Sequence, residues 1–116
     1  MGLDQYANRR NSKGEDEQIH YWRKHNALQG WMEMLWSIKT GKPQNDLNCN
    51  EVELTMSDLE QLKTSINHQT LPETQGFFYG SDTSKDDTRK EGDLSFVSDA
   101  MDAINNGFKV FYTCWW

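Results

Sequence analysis

Alternating apolar and polar residues open the chain. Residues 3–7 alternate in the manner of a half-buried strand, and residues 19–23 have the composition of a second strand. Between them, residues 8–18 hold many charges and one glycine but no apolar residue, so we expect an exposed loop there. The start of the chain therefore predicts two strands joined by a long hairpin connection.

Three later segments have the apolar spacing of amphipathic helices. The clearest runs from about residue 25 to residue 40, and Gly41 is well placed to end it. The other two span about residues 56–68 and residues 93–106. The apolar stripe of the first helix, at the i, i+3, i+4 and i+7 positions that face a core, consists of Leu28, Trp31, Met32, Leu35 and Ile38.

The remaining strands are short. Residues 51–54 alternate, residues 76–80 are an aromatic run between two glycines, and residues 109–116 are rich in aromatic and β-branched side chains. We expect the last of these to be central in a sheet, and the charged residues 81–93 to form an exposed loop. The whole pattern predicts one α+β domain over residues 1–116, a small and largely antiparallel sheet with about three helices packed mainly on one face.

Composition narrows the function classes. The formal net charge is −6, which argues against non-specific binding to nucleic acid because that requires a dense field of Lys and Arg. The first residues lack the pattern of a secretory signal peptide, and no apolar run approaches the ~18 residues of a membrane span. We therefore expect a cytoplasmic protein without a membrane role, in which Cys49 and Cys114 are reduced, structural thiols.

The familiar catalytic and metal-binding signatures are absent from the sequence. There is no phosphate-binding glycine-rich loop, no zinc-protease motif and no calcium loop. Three aspartates in the 81–93 segment fit no cation motif, and the histidines lack neighbours at zinc-ligand spacing. We expect no cofactor and no metal. The residues behind this expectation are Asp82, Asp86, Asp87, His20, His25 and His68.

The junction between the second strand and the first helix carries the strongest candidate chemistry. Two cations, an imidazole and an amide meet where free helical N–H groups and the positive end of the helix dipole attract anions. Trp22 would stack on a planar group, with Asp4 and Ser81 orienting polar groups. The predicted ligand-binding residues are Asp4, Trp22, Arg23, Lys24, His25, Asn26 and Ser81.

A structural role explains the same junction residues equally well. Arg23 and Lys24 would then pair with internal carboxylates such as Asp4 or Glu33. In that case Asn26 would be the N-cap of the helix and Trp22 a core residue.

Several short motifs together resemble a family of small proteins encoded by tailed bacteriophages, cyanophages among them. The motifs are Met1-Gly2-Leu3-Asp4-Gln5-Tyr6, Tyr21-Trp22-Arg23-Lys24-His25-Asn26, Leu71-Pro72, Gly76-Phe77-Phe78-Tyr79-Gly80-Ser81 and the aromatic C-terminus. The resemblance covers nearly the whole chain in the same order. It implies a viral protein that acts in the cytoplasm of an infected bacterium, in an accessory role such as host takeover or counter-defence. It implies no catalytic residue.

Three functions follow as hypotheses. The first is a non-enzymatic protein that binds an anionic small molecule such as a nucleotide at the junction. The second is an interaction module that inhibits or redirects a host protein through exposed aromatics such as Trp36, Trp115 or Phe78. The third is a small enzyme acting on a nucleotide or phosphate ester, with His25 as acid or base. The expected partners are thus an anionic small molecule or a host protein, and self-association into a homo-oligomer is a further option.

Overall fold

A computed structural model describes residues 3–68, 74–76, 80–82 and 87–115. The radius of gyration is 13.3 Å, as expected for a compact chain of this length. In chain order the elements are β1 (Asp4–Arg10), β2 (Asp16–Arg23), α1 (Asn26–Thr40), a short 3₁₀ helix (Gln44–Leu47), β3 (Glu51–Leu54), α2 (Met56–Asn67), β4 (Thr74–Gly76), β5 (Gly80–Asp82), α3 (Asp87–Asn105) and β6 (Lys109–Trp115).

The main sheet has four strands in the order β2-β1-β6-β3, and every neighbouring pair is antiparallel. The last strand is central, between β1 and β3, as its β-branched and aromatic composition predicted. β4 and β5 form a separate antiparallel pair. The predicted α+β class, with three helices and an antiparallel sheet, is therefore confirmed.

The predicted loop over residues 8–18 is wrong at both ends, because β1 and β2 continue through charged residues. Arg10 Nε lies 2.6 Å from Asp16 Oδ1, and Arg9 forms an ion pair with Glu17 on the same two strands. Paired opposite charges stabilise facing strand positions without any apolar contact. The hairpin therefore extends beyond the apolar residues that marked the strands in the sequence.

Two further segments differ from the prediction. The expected loop over residues 81–93 is partly helical, since α3 begins at Asp87, and β5 ends at Asp82. The first turns of α3 are polar, so they carry no apolar periodicity, although Lys, Arg and Glu favour helices. The aromatic run 76–80 is not one strand: Gly76 ends β4 and Gly80 begins β5, while residues 77–79 lie outside the described residues.

The main sheet has one inner face and one open face. Inner-face side chains are buried, and the helices lie against them: the ring of Phe96 on α3 meets the ring of Trp22 edge-on at 4.7 Å. The inner face consists of Leu3, Gln5, Ala7, Trp22, Val52, Leu54, Val110, Tyr112 and Cys114. The open face carries side chains that are exposed or half-buried: Asp4, Tyr6, Asn8, Arg10, Tyr21, Arg23, Glu51, Glu53, Phe111, Thr113 and Trp115.

Helix α1 ends as predicted, and most of its predicted apolar stripe faces the core. Gly41 adopts the left-handed conformation, with φ 71°, and its N–H donates to Ser37 O. In the predicted stripe Leu28 and Met32 are buried, whereas Ile38 is 79% exposed. The prediction is therefore wrong for Ile38, whereas Trp31 and Leu35 are partly buried and pack against the core. Among the described residues, no helix combines the length and the apolar character that a membrane span requires.

Candidate functional site

The strand-to-helix junction divides its residues between the two faces of the sheet. Successive strand side chains point to opposite sides, so Trp22 faces inward and Arg23 faces outward. Lys24 follows with a φ of 56°, which turns the chain from β2 into α1, and its side chain is exposed. His25 and Asn26 are buried. The structure therefore separates the two cations from the imidazole, the amide and the indole.

The inward group is organised around the buried carboxylate of Asp93 on α3. Its Oδ1 accepts a hydrogen bond from Trp22 Nε1 at 2.9 Å, and its Oδ2 lies 2.7 Å from His25 Nε2. Because the indole is buried and held at its N–H, it is not available to stack on a ligand, and this part of the site prediction is wrong. Asn26 is not the N-cap either: His25 holds that position, without a side-chain capping bond.

Gln5 on β1 fixes the backbone of the junction. Its Oε1 accepts from the N–H of His25 at 2.9 Å, and its Nε2 donates to the carbonyl of the same residue at 3.0 Å. The amide thus satisfies both backbone groups at a point where the chain leaves the sheet. Gln5 Nε2 also donates to the Tyr112 hydroxyl at 2.9 Å, which ties the junction to the central strand.

The polar network continues along the buried side of α1. The Tyr112 hydroxyl donates to Gln29 Oε1 at 2.5 Å, and Gln29 Nε2 donates to Glu33 Oε2 at 3.1 Å and to Cys114 Sγ at 3.3 Å. Burial raises the pKa of Glu33, against the lowering effect of the hydrogen bond from Gln29. Burial also raises the pKa of the Cys114 thiol to about 12, so at neutral pH this residue is a protonated core thiol rather than a nucleophile.

The outward group lies at one end of the open face. In the strand register, Asp4 on β1 lies opposite Arg23 on β2 and opposite Trp115 on β6, so these three residues form one row across three strands. Asp4 Oδ1 accepts a hydrogen bond from the Tyr21 hydroxyl at 2.7 Å, and the Tyr21 ring lies 5.3 Å from that of Tyr6. Tyr21 is 44% exposed and Trp115 is 59% exposed. We call this group, together with Lys24, the Arg23 surface.

At the opposite end of the open face, charged side chains bind one another and cover the sheet. The Arg10 guanidinium donates to Asp16 on β2 and to Glu51 on β3, and it lies 4.1 Å above the Phe111 ring. Hydrogen bonds to these two carboxylates raise the pKa of Arg10 well above its usual range. Arg10 covers the Phe111 ring at this end, whereas Tyr21, Arg23 and Trp115 are exposed at the other end, so the Arg23 surface is the more exposed end of this face.

The predicted site is therefore only partly assembled. Asp4, Arg23 and Lys24 share the Arg23 surface, whereas Trp22, His25 and Asn26 lie on the inner side. The backbone of Ser81 lies in β5, and its contribution to the site stays a prediction.

Sequence reasoning missed two aromatic residues of the Arg23 surface. Tyr21 had a usable signal, because the period of two along β2 places it beside Arg23 and opposite Trp22. The sequence predicted Trp115 only as an anchor for a host protein, and the cross-strand register that brings it beside Asp4 is a long-range feature. Asp93 and Gln5 both contact the junction, and Gln5 also contacts Tyr112, through residues so far apart in sequence that no local pattern predicts them.

Comparison of the chain with protein-family models, with curated proteins and with solved structures gave no match. The resemblance to a tailed-phage family stays a prediction. Among the described residues, no group of three or more His, Cys, Asp or Glu side chains is placed to hold a metal ion. The functional argument therefore depends on the geometry of the Arg23 surface.

Proposed function

We propose that the protein is a non-enzymatic accessory protein of a tailed bacteriophage, which acts in the cytoplasm of the infected host by binding an anionic small molecule of the nucleotide class. One observation carries the proposal. Arg23 is exposed on the same open sheet face as two exposed aromatic side chains, Tyr21 and Trp115, and the next residue in the chain, Lys24, is exposed as well. This combination matches a ligand that joins a phosphate to a planar base.

Each residue type has a defined task in this binding mode. The planar guanidinium of Arg23 donates two parallel hydrogen bonds to a phosphate, and the Lys24 ammonium adds a compact positive charge. The exposed faces of Tyr21 and Trp115 accept a base by stacking, with about 1–3 kcal/mol per stacked base. Asp4, which already accepts from Tyr21, lies between Arg23 and Trp115 in the strand register and accepts from a ligand hydroxyl or amino group.

The enzyme hypothesis has less support from the same geometry. His25, its acid or base, is buried on the inner side with Nε2 2.7 Å from Asp93 Oδ2. A general acid or base must come within hydrogen-bond reach of the proton that it transfers. A ligand on the Arg23 surface would lie on the other side of the sheet from this imidazole.

An interaction module for a host protein is the second candidate. Trp115 supports it, because a Trp that is 59% exposed on an open sheet face is a typical interface anchor. Of the other anchors expected from the sequence, Trp36 is buried, with its Nε1 donating to Pro43 O, and Phe78 lies outside the described residues.

Thermal unfolding in the presence of a panel of nucleotides and phosphosugars tests the proposal. A ligand at 100 times its dissociation constant stabilises the folded state by about 2.7 kcal/mol, which raises the melting temperature by several degrees. The stabilising ligand should lose its effect in Arg23→Ala and keep it in Lys13→Ala, which removes the same charge from the exposed tip of the β1–β2 hairpin. A panel without any shift, or an equal loss in both variants, would contradict the proposal.

A further inference from the structure

The Arg23 surface contains a row of three chemically different side chains. In the strand register, Asp4 on β1 lies between Arg23 on β2 and Trp115 on β6. Neighbouring strands are about 4.8 Å apart, so the two outer backbones are separated by about 10 Å, with Asp4 midway between them. The row therefore presents a cation, a carboxylate and an aromatic ring in this order.

Of the two exposed aromatic side chains on this surface, Trp115 is the better place for a base. It is 59% exposed, against 44% for Tyr21. The Tyr21 ring already lies 5.3 Å from the Tyr6 ring, and its hydroxyl donates to Asp4 Oδ1 at 2.7 Å. Tyr21 therefore holds the Asp4 carboxylate in position, and the Trp115 indole offers the larger face for stacking.

The Asp4 carboxylate determines which part of a nucleotide fits the middle of the row. An ionised carboxylate only accepts hydrogen bonds, and its two oxygens have about four lone-pair sites, so the bond from Tyr21 leaves capacity for further donors. Its negative charge repels a phosphate. The group that lies over Asp4 should therefore be uncharged and should donate hydrogen bonds.

A ribonucleoside 5′-monophosphate has its groups in the matching order. The sugar lies between the phosphate and the base, and it carries neighbouring hydroxyls at C2′ and C3′. With the phosphate on the Arg23 guanidinium and the base on the Trp115 ring, the sugar lies over Asp4. Carboxylates accept from the ribose 2′-hydroxyl in the same manner at dinucleotide-binding sites. A 2′-deoxyribose lacks this donor.

We infer that Asp4 makes this site selective for ribonucleoside 5′-monophosphates over their 2′-deoxy forms, by accepting a hydrogen bond from the 2′-hydroxyl. The inference names the ligand class of the proposed function and rests on that function. The amino groups of the bases are the other uncharged donors of a nucleotide. They fit less well, because the base belongs at the Trp115 end of the row and Asp4 is at its middle.

NMR titrations of the full chain test the selectivity. The ligands are AMP, GMP, CMP and UMP, each compared with the 2′-deoxy form of the same base. A hydrogen bond from a hydroxyl to a charged acceptor on an exposed surface should make the ribonucleotide bind about tenfold tighter. Equal dissociation constants would overturn the inference and leave the proposed function in place. No binding by any of the eight ligands would overturn both.

Asp4→Asn tests whether the carboxylate is responsible. The asparagine oxygen still accepts from the Tyr21 hydroxyl, but an amide nitrogen that only donates replaces the second oxygen. The ratio between deoxy and ribo dissociation constants should therefore fall to within about twofold of one. Glu53→Gln removes the same charge from an exposed position on the same sheet face, and this control should keep the tenfold ratio. A ratio that persists in Asp4→Asn would overturn the inference.

A comparison of GMP with IMP separates the sugar from the base, since IMP lacks only the 2-amino group. Both nucleotides carry the 2′-hydroxyl, so we expect Asp4→Asn to weaken them by the same factor. A preference for GMP that Asp4→Asn abolishes, without any preference for the ribo forms, would assign the carboxylate to a base amino group and overturn the inference.

Discussion

At the scale of single residues, buried polar side chains set the geometry of the junction. The Asp93 carboxylate accepts from Trp22 and binds the His25 ring, and the Gln5 amide holds both backbone groups of His25. Buried polar groups are costly when a partner is removed, since the remaining group cannot return to water. These contacts therefore determine which side chains of the junction face outward.

Removing the Asp93 carboxylate should destabilise the fold strongly. Asp93→Ala leaves the Trp22 N–H and the His25 ring without their acceptor, with an expected loss of about 3 kcal/mol in the free energy of unfolding. In Asp93→Ala with His25→Ala the loss should be smaller than the sum of the two single losses, because the two residues interact directly. Urea unfolding measures all three variants. The control is Asp102→Ala, which removes an exposed aspartate from the same helix and should change the free energy of unfolding by less than about 0.5 kcal/mol. If the losses of Asp93→Ala and His25→Ala simply add in the double variant, this account is contradicted.

The buried carboxyl of Glu33 should make stability depend on pH. Its pKa is raised in the folded state, so between the usual glutamate pKa of about 4.3 and the raised value the folded state binds more protons than the unfolded state. The contribution of Glu33 to the free energy of unfolding therefore falls as pH rises through that window. Glu33→Gln retains an oxygen that accepts from Gln29 and removes the titration, so the variant should gain on the wild type as pH increases from acidic to neutral. Thermal unfolding against pH measures the difference; a difference that is constant with pH is incompatible with this explanation.

At the scale of helices and strands, the sequence predicted the location of these elements better than it predicted which of their side chains face the core. Apolar periodicity located α1, α2 and β3 almost to the residue. It failed where polar residues form regular structure, in the outer part of the β1–β2 hairpin and in the first turns of α3. It also placed Ile38 on the core side of α1, because periodicity does not show that Tyr112 and Cys114 of the central strand offer hydrogen-bond partners to Gln29, which in turn donates to Glu33.

The two sides of α1 should respond differently to truncation. Met32→Ala empties a fully buried site and should cost about 2–5 kcal/mol. Ile38→Gln alters a side chain that is 79% exposed and should change stability by less than about 0.5 kcal/mol. Chemical unfolding of both variants measures the contrast. Comparable losses at the two positions would mean that the Ile38 side chain is covered within the chain itself.

At the scale of the whole molecule, the sheet has a buried inner face and an open face, and the proposed binding site lies on the open one. Helices and the buried polar network occupy the inner face, Arg10 closes one end of the open face, and the Arg23 surface occupies the other end. The sequence identified the cationic part of that surface, because Arg23 and Lys24 are adjacent on an acidic chain. It could not identify Trp115 as their neighbour, since that proximity comes from pairing between β1 and β6 at opposite ends of the chain.

The most direct test of this account is an NMR titration of the tryptophan indole N–H signals. The protein would be labelled with ¹⁵N, its signals assigned by Trp→Phe variants, and a mixture of nucleoside 5′-monophosphates added to millimolar concentration. We expect the Trp115 signal to shift in a saturable manner, and the Trp22 signal, held by Asp93 on the inner side, to stay in place. A shift of Trp22 without a shift of Trp115, or no shift of either, would contradict the assignment of ligand binding to the Arg23 surface.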